Sequence, residues 1–207
     1  LATSQSISEE KVMNDTVALY ENFFAEHEPI TLTLKFDIKT YQRTRKSEEY
    51  QPAELIYQFD DSTSLVHKVK LKTRGEFRKN YCSIPPFWLN IKRADLPHAE
   101  LDAVTKMKVV THCKNSDKYS DYLLKEYLAY KIYNIISPYS FRVRLIRMIY
   151  IDTGRENKRT ENWAFAIEPE ELMEERLDAA FIENDRLAMA TVNSGIMDQL
   201  AMFQYMI

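Results

Sequence analysis

Glycine is scarce in this chain. Only three occur in 207 residues, at positions 75, 154 and 195. Each therefore needs a local reason, because glycine mainly serves positive φ or close backbone approach. Histidine and cysteine are also few: His27, His67, His98 and His112 are scattered, and none stands with Cys82 or Cys113 in zinc-ligand spacing. No run of about 18 apolar residues occurs, so no helical membrane span is expected. No signal peptide is visible. The formal net charge of −3 lacks the basic surplus of a general nucleic-acid binder, so no nucleic-acid partner is expected. Repeats and low-complexity tracts are absent too. What the chain does have is core-forming material, 45 % apolar and 12 % aromatic residues, which is not a disordered composition.

The pattern along the chain is strands first. Residues 8–26 suit a helix with Ser8 as a cap. Residues 30–38 alternate, with Leu32, Leu34, Phe36 and Ile38 on one face and Thr31, Thr33, Lys35 and Asp37 on the other, so they form a half-buried strand. A polar linker or short helix (39–51) leads to strands at 53–59 and 65–72, separated by Asp60, Asp61 and Ser62. Pro85-Pro86 precedes a strand at 87–91, and another runs over 106–112. A helix over 121–136, capped by Asp117 or Ser120, carries Leu124, Leu128, Ile132 and Ile135 as its core stripe. Strands follow at 141–151 and 163–168. Pro169 opens a helix to about 177, and a last helix begins near Ser194. Seven of the eight residues from 200 to 207 are apolar, from which the protein is expected to continue past Ile207.

The order predicts an α+β fold: a mostly antiparallel sheet with one embedded helix over residues 1–168, then the start of a helical second lobe at 169–207. Cys82 precedes one strand and Cys113 follows another. In an antiparallel pair those ends can meet, so the two are candidates for a disulfide, although free buried thiols also fit.

The densest chemistry surrounds Gly75: Lys70, Lys72, Arg74, Arg78 and Lys79 flank it. Backbone N–H groups beside guanidinium groups suit an anion such as phosphate, while a hairpin turn with solvated charges fits the same residues. These pieces, in order, carry a likeness: strand-Arg74-Gly75, a lysine-rich turn, the strand around Lys108, the helix with Lys125-Glu126-Tyr127-Leu128-Ala129-Tyr130, then Ser140-Phe141-Arg142-Val143-Arg144 and the strand ending at Glu168. Over residues 65–207 the chain resembles the spore-coat protein H (CotH) kinase-like family, in a divergent secreted bacterial form.

That resemblance implies a kinase-like small lobe, an extracytoplasmic location, a protein substrate, and ATP with Mg as cofactors. It implies Arg74, Gly75 and Arg78 as a turn over the phosphates and Lys108 as a phosphate contact paired with Glu126, with Lys70 and Lys72 as rivals. Glu168 would lie at a hinge, where Ala164 and Ala166 leave space for a base; a carboxylate capping the Pro169 helix is the other reading of Glu168. Arg142, Arg144 and Arg147 either read an acidic substrate or pair with glutamates on a sheet face. Two departures matter. Glu76 and Phe77 are bulkier than the family's small residues after Arg-Gly, and the family's metal-binding acids and asparagine lie beyond Ile207. The catalytic residues are therefore not assigned. A non-catalytic exported binding or surface-assembly module is the alternative, and a cysteine hydrolase using His112 a weaker one.

Overall fold

Alternation builds the strands and then closes them into a barrel. The computed structural model describes residues 23–25, 27–47, 49–58, 64–91, 106–182 and 188–207. Among the described residues seven strands are formed: β1 (Ile30–Phe36), β2 (Gln51–Gln58), β3 (Ser64–Thr73), β4 (Phe87–Ile91), β5 (Lys106–Thr111), β6 (Val143–Asp152) and β7 (Lys158–Ile167). In β1 and β4 every second residue is buried, the period expected of a strand with one face inward. The order around the barrel is β1-β2-β3-β4-β5-β7-β6. All neighbours are antiparallel except β1 and β6, which run parallel from Ile30 opposite Ile146 to Phe36 opposite Asp152. That parallel pairing shuts the sheet and removes both edges.

The interior is filled by side chains such as Leu32, Leu34, Leu55, Leu71, Leu89 and Met148. Each fully buried leucine stabilises by about 1.5–3 kcal/mol relative to exposure. At one mouth, Arg144 donates to the Phe23 carbonyl at 3.2 Å and lies 4.8 Å over the Phe23 ring.

Helices pack outside. Helix α1 (Ile38–Thr44) is capped by Asp37, whose Oδ1 accepts from Thr40 N at 2.9 Å. A one-turn helix α2 (Arg78–Tyr81) leads to Cys82. Helix α3 (Asp117–Ile136) lies on β6 and β7, pressing Leu123, Tyr127 and Tyr130 against Phe165. Helix α4 (Glu170–Leu177) rests on the main core through Leu172. Helix α5 (Ser194–Met206) meets α3 where Phe203 and Tyr133 lie 4.9 Å apart. Among the described residues no helix is long and apolar enough to cross a membrane.

Three expectations are corrected. A kinase-like small lobe with one embedded helix is not formed: the seven strands close into a mixed barrel, because β1 returns to pair with β6, and α3 covers the outside. The expected stripe of α3 is also displaced. Leu124 packs against the barrel, but Leu128, Ile132 and Ile135 are exposed, the last at 87 %, and Leu123, Tyr127 and Tyr130 face the barrel instead. Finally, Ala164 and Ala166 leave no room for a base, since both point into the packed barrel core. Most of the expected 8–26 helix and the 60–62 turn lie outside the described residues.

Cys82 and Cys113 form a disulfide with Cα atoms 4.4 Å apart, closing a sequence separation of 31. Ser83 N donates to the Cys113 carbonyl at 2.7 Å beside it.

Candidate functional site

Residues that alternate away from the core of β3, β4 and β5 make a basic outer face. Register places Lys72, Trp88 and Lys108 in one row, and Lys70, Asn90 and Lys106 in the next. Trp88 is the centre. Lys106 Nζ lies 4.5 Å from its ring centroid, Lys108 Nζ 5.2 Å and Arg74 Cζ 5.5 Å. All three are within cation–π range, an attraction that strengthens as water is excluded.

Lys108 is the unusual member. Its side chain is only 3 % exposed, although it projects outward from β5. Trp88 covers one side and Phe141, 5.1 Å from the ammonium, another. The first turn of α4 supplies the counter-charges. Glu170 Oε1 meets Lys108 Nζ at 2.5 Å, and Glu171 Oε1 meets Lys106 Nζ at 3.1 Å. Acids here also suit the positive end of the α4 dipole. Burial lowers the Lys108 pKa from its ordinary value, opposed by the hydrogen bond and charge of Glu170.

Arg74 completes the cluster. Its backbone N–H donates to the Pro86 carbonyl at 2.8 Å, which holds the end of β3 beside Trp88. Among the described residues its guanidinium makes no ion pair. Burial lowers its pKa, with Glu170 the largest opposing charge. Gly75 follows at φ +81°, a conformation that disfavours a side chain, and a Cβ there would meet no heavy atom within 4 Å. The turn is therefore open, and Phe77 beyond it is 75 % exposed.

The remaining sequence candidates divide. Arg78 pairs with Glu126 at 2.7 Å, both partly exposed. Lys108 and Glu126 thus each have another partner, and the implied Lys108–Glu126 pair is replaced by Lys108–Glu170 and Arg78–Glu126. Glu168 is a brace rather than a free hinge carboxylate. It receives Arg176 in a fork at 2.8 and 3.0 Å and the Arg142 N–H at 3.1 Å, while Arg176 also binds the carbonyls of Pro138 and Ser140. Arg147 pairs with Glu161 on the sheet face. Lys70 projects from β3 but lies one row away from Lys108.

Trp88, Lys106, Glu170 and Glu171 were not singled out from sequence. Alternation does place Trp88 opposite the buried Phe87 and Leu89, and two acids directly after Pro169 mark a helix start. The arrangement sets three cations, Lys108 buried among them, around one aromatic ring, countered by Glu170 and Glu171, a chemistry that suits a phosphate. Among the described residues no group of three His, Cys, Asp or Glu side chains is placed to hold a metal ion.

No family model, curated protein or solved structure matches this chain.

Proposed function

We propose that the outer face of β3, β4 and β5 binds a phosphorylated ligand, with ATP as the first to test. The observation that carries this is the buried Lys108 ammonium, set with Arg74 and Lys106 around Trp88. Arg74 and Lys108 would contact phosphate oxygens, and charge-assisted bonds in such a dry setting are the strong ones. Glu170 occupies the Lys108 ammonium and would be exchanged for the incoming phosphate. Any Mg would arrive with the nucleotide. Phosphoryl transfer to a secreted or surface protein, as the CotH likeness implies, is the activity proposed for this face. The Cys82–Cys113 disulfide supports an extracytoplasmic setting.

A binding module is the second reading, favoured by one observation: Glu126 is held by Arg78 and does not orient Lys108. Two assays separate the readings. ATP with and without Mg should raise the thermal midpoint, because a ligand that binds only the folded state stabilises it. Release of the γ-phosphate or its transfer to casein would mark catalysis; a midpoint shift without turnover would mark the binding module. No shift with ATP or inorganic phosphate would end both.

A further inference from the structure

A second site lies at the end of the barrel, between α1, the β6–β7 turn and the disulfide. A cavity of about 160 Å³ opens there, lined by Lys39, His112, Asp152, Arg155, Lys158 and Thr160. It has far more room than one water needs, yet is smaller than the usual drug-sized pocket of roughly 300 Å³ or more.

Its charges are unbalanced. Three cations face one carboxylate, and that carboxylate is committed. Asp152 Oδ1 accepts from Ile38 N at 3.2 Å and Gly154 N at 3.1 Å, while Oδ2 lies 3.9 Å from Arg155 Nε. Asp152 therefore fixes the wall, and Lys39 and Lys158 make no ion pair among the described residues. Deeper in, the His112 ring is 3 % exposed, and its Nδ1 is buried without a hydrogen-bond partner. A buried polar nitrogen in a native fold normally has a partner, and His112 is one of the residues that line the cavity. Burial also lowers its pKa to about 4, so at neutral pH the imidazole is uncharged and offers one donor and one acceptor. The wall is firm: His112 adjoins Cys113, Ser83 adjoins Cys82, and the bridge joins the two.

We infer that this cavity binds a small hydroxylated oxyanion, its anionic group on Arg155, Lys158 and Lys39 and a hydroxyl on the His112 imidazole. A phosphomonoester and a hydroxycarboxylate share this chemistry. The site is separate from the Lys108 face and does not depend on it.

The test follows the His112 ring nitrogens by NMR while glycerol 3-phosphate, gluconate or inorganic phosphate is added. The expected result is a saturable shift with glycerol 3-phosphate or gluconate, which identifies the anion. Affinity should fall by roughly tenfold or more in Arg155→Ala/Lys158→Ala, since two charge-assisted contacts are lost. Both positions are exposed, and Lys39→Ala is a second variant should that pair fold poorly. Lys108→Met should leave the titration unchanged. No saturable shift with either organic probe, or unchanged affinity in both cavity variants, would overturn the inference. So would saturation by inorganic phosphate alone.

Discussion

Acidification should destabilise this protein through His112. The ring is buried and its folded-state pKa is about 4, against an ordinary value of 6.5, with desolvation as the cause. Below pH 6.5 the unfolded chain takes up a proton that the folded chain refuses. Stability from this group is therefore complete above pH 6.5 and is lost as pH falls toward the folded pKa. Between about pH 7 and about pH 5 the loss works out at about 2 kcal/mol from these two pKa values. Asp37 and Glu171 are held below their ordinary values, Asp37 first by the Thr40 N–H and Glu171 first by its own backbone N–H. Their contributions fade only at lower pH. The assay is urea denaturation at a series of pH values, with His112→Gln alongside. Wild type should lose about 2 kcal/mol over the window, and the variant should lose clearly less. An equal slope in both proteins, or a flat wild-type profile, would refute the reasoning.

Other consequences are as direct. Replacing both Cys82 and Cys113 by serine frees a loop of separation 31, and the chain-entropy relation gives a cost of about 3–4 kcal/mol, measurable by denaturant midpoint. Glu168→Gln breaks a buried ion pair that braces α4 and should cost about 3 kcal/mol, while leaving binding at the Lys108 face intact wherever the protein is folded. Gly75→Ala should cost about 1–2 kcal/mol from backbone conformation alone. Gly154→Ala meets a different obstacle, because its Cβ would come 2.7 Å from Asp37 Oδ1; its thermal midpoint should fall together with the helix content of α1.

Local periodicity carried the strands well. The alternation of Leu32, Leu34 and Phe36, or of Phe87, Leu89 and Ile91, is visible in sequence because each strand buries one face. Closure is not, since Ile30 and Ile146 meet across more than a hundred residues and no local signal marks a parallel partner. The stripe on α3 failed for another reason. That helix is apolar on two sides, and both Leu124–Leu128–Ile132 and Leu123–Tyr127–Tyr130 have helical spacing; the barrel takes Leu124 with the second set and leaves Leu128 and Ile132 exposed. At the site, Lys108 and Arg74 stood out by their neighbours in sequence. Their setting did not, because burial of an outward lysine depends on Trp88, Phe141 and Glu170 arriving from three other segments.

The central claim is that Lys108 and Arg74 form a phosphate site in which Glu170 stands where an anion would bind. Calorimetric titration of ATP into wild type, Lys108→Met and Glu170→Gln tests this most directly. Lys108→Met should weaken binding by roughly tenfold to a hundredfold, the worth of a charged hydrogen bond, and Glu170→Gln should tighten it by removing the competing carboxylate. Absence of binding in wild type, or equal affinity in all three proteins, would contradict the account.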